Sequence, residues 1–380
     1  MVRFQITKQT AQRLLATCSV VLAVVALGAR EASAQPVGGG GKTPTLPSTV
    51  VNSYLATPGA MSDLASKFLR DNANQASPHG QGQGAANPLG GGADLAVSSG
   101  GAAQPSYKFW MEGYGLHART GAQNVFTGDD RKTWGGIAGL GITLPSGWSY
   151  GVSVDQGQTK IDLTGLTQNS RLNLTQLGAN AAYETGPWTF SAAGIYGFGD
   201  VNSHRTDSGG INIANYDVSL WGAIGEVSYY WSTGTATTSW RVVPKVGIDW
   251  THISIDPFTE SGGAIPVTAT GQTIDRGRVF AATEVGYSWL VGKTIYDISG
   301  YARVVDIFSQ NVDSVFATAT NGAALPRLVA GVIDDKFELD LGAATSVKLS
   351  DAVRLYAIYD GRFRDGFTSH GGTLGVEYRW

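Results

Sequence analysis

The last ten residues of the chain, GGTLGVEYRW at positions 371–380, carry the strongest fold signal in the sequence. In a β-strand, one face of this stretch holds Leu374, Val376, Tyr378 and Trp380. A soluble protein rarely leaves so apolar a strand at a sheet edge, because an unpaired edge invites aggregation. A closed barrel in a membrane removes that difficulty, since its last strand pairs with its first and its apolar face meets lipid. The stretch therefore predicts a transmembrane β-barrel rather than a soluble β-sandwich.

The composition also fits a barrel with one apolar and one polar face. The 380 residues include 52 glycines; 10% are aromatic, 15% are charged and 42% are hydrophobic. Beyond the N-terminus, no apolar run reaches the roughly 18 residues that a membrane-spanning helix needs. This excludes a helical membrane protein and favours strands in which apolar and polar residues alternate.

The N-terminus has the layout of a secretory signal peptide, which we assign to residues 1–34. A basic region precedes the apolar residues 14–28, and its charges are Arg3, Lys8 and Arg13. Small residues then predict cleavage between Ala34 and Gln35. We therefore expect secretion to the periplasm of a Gram-negative bacterium, followed by insertion into the outer membrane.

The predicted mature chain lacks thiols and basic surfaces. Cys18 is the only cysteine and lies inside the apolar stretch, so neither a disulfide nor a reactive thiol is expected. Removal of the signal takes four of the 27 basic residues and one of the 30 acidic ones, which leaves 23 and 29. The resulting formal charge of about −6 gives no polybasic surface for nucleic acid.

Residues 35–106 are predicted to form a short passenger-like or linker segment with an amphipathic helix near residues 60–72. A first helical turn or two is expected from residue 50, broken at Pro58 and Gly59. The apolar stripe of the helix, a candidate plug, consists of Met61, Leu64, Ala65, Phe68 and Leu69. The opposite face carries Asp63, Lys67 and Arg70.

Such a helix is marginal alone and needs a surface to bury its stripe. The barrel lumen, a partner and the membrane interface are all candidate surfaces at this point. A Gly/Gln/Ser/Pro-rich linker at residues 76–104 follows the helix and fits any of the three.

Residues 107–380 are predicted to form an all-β, 12-stranded antiparallel transmembrane β-barrel. The predicted strands cover residues 107–118, 133–144, 148–161, 171–184, 188–199, 216–231, 240–253, 278–291, 294–307, 336–349, 353–364 and 369–380. The connections after strands two, four, eight and ten are short, and those after strands three, five, seven and nine are predicted to be longer. Short periplasmic turns and long external loops are typical of outer-membrane barrels.

The inward face of these strands is predicted to hold charges of both signs. Its main members are Arg241, Lys245, Asp249, Arg278, Glu284, Asp297, Arg303, Glu338, Asp340 and Arg354. On the lipid face at mid-depth each charge would cost roughly 2–4 kcal/mol, so the lumen is the favourable place for them. A mixed set favours pairing across a small, partly plugged pore over a ring of one sign.

No pattern in the chain indicates catalysis, a cofactor or a metal. His117 and the carboxylates of Asp129 and Asp130 could meet at the first external loop, but loop aspartates more often form turns. Metal-ligand spacings are absent from the sequence, and its glycine runs lack the residues of a phosphate-binding loop. We therefore predict that the protein is not an enzyme.

Several short motifs resemble the β-barrel domain of autotransporters, the type V secretion family. They are FWMEGYG at 109–115, WGGIAGLG at 134–141, GWSYGVS at 147–153, PKVGIDW at 244–250 and FTESG at 258–262. The aromatic C-terminus is similar to the sorting signal that the barrel-assembly machinery reads. The resemblance covers residues 107–380 and implies a twelve-stranded barrel that carries an N-terminal passenger to the cell surface. It also implies periplasmic chaperones, the assembly machinery and outer-membrane lipids as partners, with a monomeric barrel.

Two features depart from that family. Only about 70 residues separate the predicted signal from the barrel, without repeats, and a linker lies between the helix and the first strand. Two interpretations therefore stay open. The first is a translocator or display barrel with a very short passenger. The second is a porin-like channel for small solutes with the helix as its plug.

Overall fold

A computed structural model gives the fold of residues 51–77, 104–320 and 327–380. The predicted signal peptide, residues 35–50 and most of the predicted linker lie outside the described residues.

Twelve long antiparallel strands form the barrel that the sequence predicts, so the predicted fold class is confirmed. They are β1 (Ser106–Thr120), β2 (Asp129–Thr143), β3 (Trp148–Leu163), β4 (Gln168–Thr185), β5 (Trp188–Asp207), β6 (Gly210–Tyr229), β8 (Thr238–Ile255), β12 (Gln272–Val291), β13 (Thr294–Val312), β16 (Phe337–Lys348), β17 (Val353–Arg364) and β18 (Phe367–Arg379). Each strand pairs with the next long strand along the chain, and β1 also pairs with β18.

Closure of the barrel removes the edge that the C-terminal stretch would otherwise present. The β1–β18 ladder runs from the pair Lys108 and Arg379 to the pair Thr120 and Phe367. Beyond the pair Lys108 and Arg379, two further backbone hydrogen bonds of 3.0 and 3.1 Å join Tyr107 and Trp380. The last strand is therefore a full member of the sheet.

The outer face of β18 has the residues that the sequence assigned to it. Leu374 is 70% exposed, Tyr378 47% and Trp380 57%, and Val376 is half-buried on the same face. At the end of the barrel where Trp380 lies, outward aromatic rings pair across neighbouring strands. The pairs and their centroid distances are Tyr107–Trp380 (5.9 Å), Trp148–Tyr183 (4.9 Å), Trp188–Tyr229 (4.9 Å), Trp240–Tyr287 (4.7 Å) and Trp289–Tyr296 (5.6 Å). Such a girdle marks a membrane interface.

The predicted alternation of loop lengths is only partly right. The connections after β3 and β5 are residues 164–167 and 208–209, far shorter than predicted. The hairpin of β5 and β6 stays in register up to Asp207 and Gly210, with Val201, Ser203 and Arg205 facing inward. The outward residues in this part of the hairpin are polar, so the sequence suggested a loop. The strand ladder nevertheless continues beyond the apolar band.

The two longest connections, residues 256–271 and 313–336, match the prediction and carry small sheet elements. Here lie β9 (Phe258–Thr259), β10 (Ser261–Gly262), β11 (Val267–Ala269), β14 (Val315–Ala319) and β15 (Arg327–Val329), while β7 (Trp231–Gly234) follows β6. Four of them form a second sheet in the order β15-β14-β11-β9. This sheet lies at the end of the barrel opposite to the short turns.

Among the described residues before the barrel, one helix is present, α1 (Asn52–Ala76). It is continuous through Pro58 and Gly59, so the predicted break there is wrong. A proline inside a helix costs about 3 kcal/mol because one backbone hydrogen bond is lost. Tertiary contacts of the turn before Pro58 help to offset this cost, since Tyr54 and Thr57 are hydrogen-bonded to the barrel and its loops. No helix in the described ranges is both long enough and apolar enough to cross a membrane.

The outward position of Leu374 gives a depth-dependent stability prediction. With strands tilted about 40°, Leu374 lies about 15 Å above Trp380, near the bilayer centre, and Thr368 lies about 30 Å above it. Leu374→Arg should therefore lower the free energy of unfolding in lipid vesicles by roughly 2–4 kcal/mol, and Thr368→Arg by about 0–1 kcal/mol. Urea titrations of both variants measure the difference. Equal losses at the two positions would contradict the assigned lipid face.

Candidate functional site

The helix α1 lies inside the barrel, and its apolar stripe is buried there. Met61, Leu64, Phe68 and Leu69, the predicted plug residues, are each at most 1% exposed. They pack against β3, β4, β5 and β6, whose inward face is apolar at this level. The inward apolar side chains of this wall include Ile161, Leu172, Leu174, Ile195, Val201, Leu220 and Ile224. Of the three candidate surfaces, the structure therefore places the stripe against the lumen.

The apolar wall approaches the helix closely. A Cβ atom added to Gly157 on β3 would lie 2.8 Å from Leu64 Cδ2, too close for any real side chain. On the other side, a Cβ added to Gly59 of α1 would collide with the Arg131 guanidinium. Gly157 on the strand thus allows a close contact with Leu64, and Gly59 on the helix allows a close contact with Arg131.

The opposite face of α1 meets a charged wall. Asp63 lies 3.4 Å from Arg131 and 3.0 Å from Arg362. Lys67 pairs with Asp71 of the helix at 2.5 Å and lies 3.9 Å from Glu112 of β1. Both of these helix charges, which the sequence placed opposite the stripe, therefore have partners of opposite sign.

Arg70 completes this face by reaching β16 and β17. It lies 3.3 Å from Asp360 and 3.9 Å from Asp340. All these side chains are largely buried, so the pairs are poorly screened by solvent. Pairs of this kind contribute little net stability, but breaking one of them leaves an uncompensated buried charge.

All ten predicted lumen charges are inward-facing and at most 8% exposed, but they form separate groups. Asp249, Arg278, Arg303, Glu338 and Asp340 form a central cluster, in which Arg278 lies 2.8 Å from Asp249 and Arg303 lies 3.5 Å from Asp340. This cluster adjoins the charged face of α1 through Arg70 and Arg362.

The other predicted charges lie nearer the short-turn end. Arg241 contacts Glu284 at 2.8 Å and also binds Asp297. Arg354 contacts Glu377 on β18 at 2.8 Å. Lys245 lies 3.8 Å from Glu226 and donates to Asn74 Oδ1 at 3.3 Å. Lys245 therefore links this region of the barrel to the helix.

The two ends of α1 are bound by different parts of the barrel. At its N-terminal end the Tyr54 hydroxyl lies 3.1–3.2 Å from the carbonyl oxygens of Ile255, Asp256 and Thr270. Asn52 accepts a hydrogen bond of 2.9 Å from the Thr127 amide, in the connection between β1 and β2 at residues 121–128. These partners all lie at the long-loop end of the barrel.

The C-terminal end of α1 lies at the short-turn end. Lys108, near the start of β1, donates to the carbonyl oxygen and the side chain of Gln75. One turn earlier, Asn72 Oδ1 accepts from Ser153 at 2.6 Å and from Asn180 at 3.1 Å. The helix therefore runs from the long-loop end to the short-turn end of the lumen.

A long loop is joined to this network through Asp334. Its carboxylate contacts Arg364 at 2.5 Å and Arg276 at 2.9 Å, and Arg276 also donates to Ser66 of α1. Burial alone would raise the pKa of Asp334, but the two guanidinium groups outweigh it and hold this pKa below its ordinary value. The loop is thus anchored to the barrel and, through Arg276, to the helix.

Several residues of the site are not among those predicted from the sequence. Arg131 was not predicted because the predicted second strand begins at residue 133, four residues after the observed start of β2 at Asp129. Glu112 lies in a quoted motif, and alternation along β1 turns it inward. Leu172 and Leu174 alternate with polar neighbours on β4, a pattern that could have indicated an apolar inward face.

The site contains no arrangement that indicates metal chemistry. Across the described ranges, no group of three or more His, Cys, Asp or Glu side chains could hold a metal ion. His117 does lie 3.0 Å from Asp130, but the pair faces outward beside Arg119, while Asp129 points into the lumen.

A cysteine on the helix should report the buried position of α1. In a Cys18→Ser background, we expect Ala65→Cys to resist a maleimide reagent, because Ala65 is 0% exposed and the change in volume is small. Phe316→Cys, on β14 and 46% exposed, should react readily. Mass spectrometry of the folded protein measures both. Equal labelling at the two positions would show that α1 is not held in the lumen.

Comparison with known proteins agrees with this architecture. The chain matches the family described as Autotransporter beta-domain over residues 109–360. No curated protein sequence matches it. Among solved structures, the translocator domain of autotransporter NalP from Neisseria meningitidis superposes with a TM-score of 0.64 at 14% identity. That match covers 87% of this chain and 99% of the other.

The beta domain of the Bordetella autotransporter BrkA superposes with a TM-score of 0.50 at 17% identity, covering 72% of this chain and 98% of the other. At such identities these likenesses show the fold, and the family match covers about two thirds of the chain. The chain therefore belongs to the autotransporter β-domain family, the outer-membrane translocator barrels of type V secretion.

Proposed function

We propose that this translocator barrel holds α1 across the outer membrane and displays the residues that precede α1 at the cell surface. The observation that carries the proposal is the direction of the helix. Its N-terminal end contacts the long loops and its C-terminal end contacts the start of β1. In outer-membrane barrels, long loops are external and short turns periplasmic.

The length of α1 fits this arrangement. At 1.5 Å per residue, its 25 residues extend over about 37 Å, which exceeds the roughly 30 Å hydrocarbon core of a bilayer. A chain leaving the N-terminal end of α1 is thus already at the outer surface. Residues 35–50, the portion of the predicted passenger-like segment that precedes α1, are the part of this chain that would be displayed.

The same proposal includes the biogenesis of the barrel. We infer cleavage of the signal peptide between Ala34 and Gln35, delivery by periplasmic chaperones and insertion by the assembly machinery, which would read the terminal strand with Leu374, Val376 and Tyr378. We expect a monomeric barrel in contact with outer-membrane lipids, without nucleic acid. We also expect no catalytic activity, and an assayed hydrolase activity abolished by His117→Ala would contradict this.

Epitope tags test the direction of display. A tag inserted between Gly38 and Gly39 should be detected by antibody on intact cells, because it precedes the external end of α1. A matched tag between Gly90 and Gly91, after the periplasmic end, should be detected only after permeabilisation. N-terminal sequencing of the first tagged chain should begin at Gln35. Detection of the second tag alone on intact cells would reverse the proposed orientation.

Conductance in planar bilayers separates display from the channel interpretation. Because α1 fills the lumen and contacts both of its walls, the intact barrel should conduct little, and deletion of residues 52–76 should open a steady pore. Deletion of residues 36–47, which leaves α1 in place, is the matched control and should stay closed. Steady conductance by the intact barrel, unchanged when α1 is deleted, would favour the porin-like channel.

A further inference from the structure

The outer surface of the barrel carries a registered row of basic side chains. Lys132 on β2 lies directly opposite Lys160 on β3, and Lys160 lies directly opposite Arg171 on β4. All three side chains are exposed and point away from the lumen. On β1 and β18, His117 and His370 continue the same row, His117 being the register partner of both Lys132 and His370.

Like charges in directly opposed positions of neighbouring strands are destabilising. Neighbouring strands are about 4.8 Å apart, so the backbones of the three basic residues lie within about 10 Å of one another. Asp162 pairs with Lys160 at 2.9 Å. Within the described part of the chain, no carboxylate oxygen comes within 4.0 Å of the charged nitrogens of Lys132 or Arg171. The row therefore has an excess of positive charge that an anion can neutralise.

The distance of the row from the short turns indicates which kind of anion it would meet. Lys132 is eleven residues and Lys160 twelve residues along their strands from the short turns, which is about 28–30 Å at a tilt of about 40°. Trp134, 49% exposed, lies on the membrane side of Lys132 on the same face. An outward aromatic followed by basic residues is typical of the interface, where lipid headgroups lie.

We propose that Lys132, Lys160 and Arg171 form a binding site for the phosphate groups of a phosphorylated glycolipid in the outer leaflet. The ammonium groups supply point charges, and the Arg171 guanidinium can bind a phosphate through two parallel hydrogen bonds. Directly below the row the outward face carries two hydrogen-bonded polar pairs, Gln158 with Asn173 and Gln156 with Thr175. The lipid tails lie along the apolar surface below these pairs, where Val152 and Val154 of β3 and Leu177 of β4 are exposed. This inference depends on the proposed orientation of the barrel but not on display of any segment.

Binding of diphosphorylated lipid A to the purified full chain in neutral detergent, followed by native mass spectrometry, tests the site. Each cation near an anionic lipid surface is worth about fivefold in affinity, so Lys132→Gln, Lys160→Gln and Arg171→Gln together should weaken binding by roughly 100-fold. The control triple Lys293→Gln, Lys336→Gln and Lys348→Gln removes three lysines outside the row and should bind as wild type. A charge-conserving triple, Lys132→Arg, Lys160→Arg and Arg171→Lys, should also bind.

Three outcomes would overturn the assignment. They are equal weakening by the row and control triples, unchanged binding after dephosphorylation of the lipid, and equally tight binding of inorganic phosphate alone. Because the measurement uses purified barrel, its failure would leave the tag experiments on display unaffected. Loss of binding by the row triple with retention in the charge-conserving triple would establish the site.

Discussion

The structure depends on one constraint: every backbone amide and carbonyl at membrane depth must find its partner inside the protein. Pairing of β18 with β1 meets this constraint for the terminal strands, and the ladder extends over thirteen residue pairs. Once the sheet is closed, alternation along each strand sorts the side chains into a lipid face and a lumen face. The apolar outer surface and the mixed lumen both follow from closure, and the lumen is where the buried charges of β12 and β16 can pair.

The lumen is itself amphipathic, and this property explains why a polar-faced helix can occupy it. The β3–β6 wall offers apolar side chains such as Leu172, and the opposite wall offers charges such as Arg362 and Asp360. The helix presents its stripe to the first wall and its charges to the second. An amphipathic helix that is marginal in water thereby gains partners for both faces. The fit also explains why Pro58 does not end the helix, because contacts before and after it, such as those of Tyr54 and Asp63, hold the backbone in place.

Sequence patterns predicted the elements whose periodicity is strong. The prediction failed where the same pattern is compatible with both a strand and a loop. The face of Leu374 and the inward position of Arg278 follow from alternation alone. The extension of β5 to Asp207 could not be predicted in this way, because polar alternating residues beyond the membrane look like loop. The contact of Leu64 with Gly157 was likewise out of reach, since it depends on which strand faces the helix after the barrel closes. Local patterns determine faces, whereas the site depends on contacts between residues that lie far apart in the chain.

The apolar wall and the charged wall of the lumen contribute differently to the position of α1. Burial of Met61, Leu64, Phe68 and Leu69 at about 1.5–3 kcal/mol each gives roughly 6–12 kcal/mol for the apolar contacts. The ion pairs of Asp63 and Arg70 contribute little net free energy, because desolvation opposes their attraction. They depend, however, on position: a slide of α1 by one turn, about 5.4 Å, would separate Asp63 from both Arg131 and Arg362. The apolar wall thus retains the helix, while the charged wall sets its depth and rotation, so that its N-terminal end lies at the long loops.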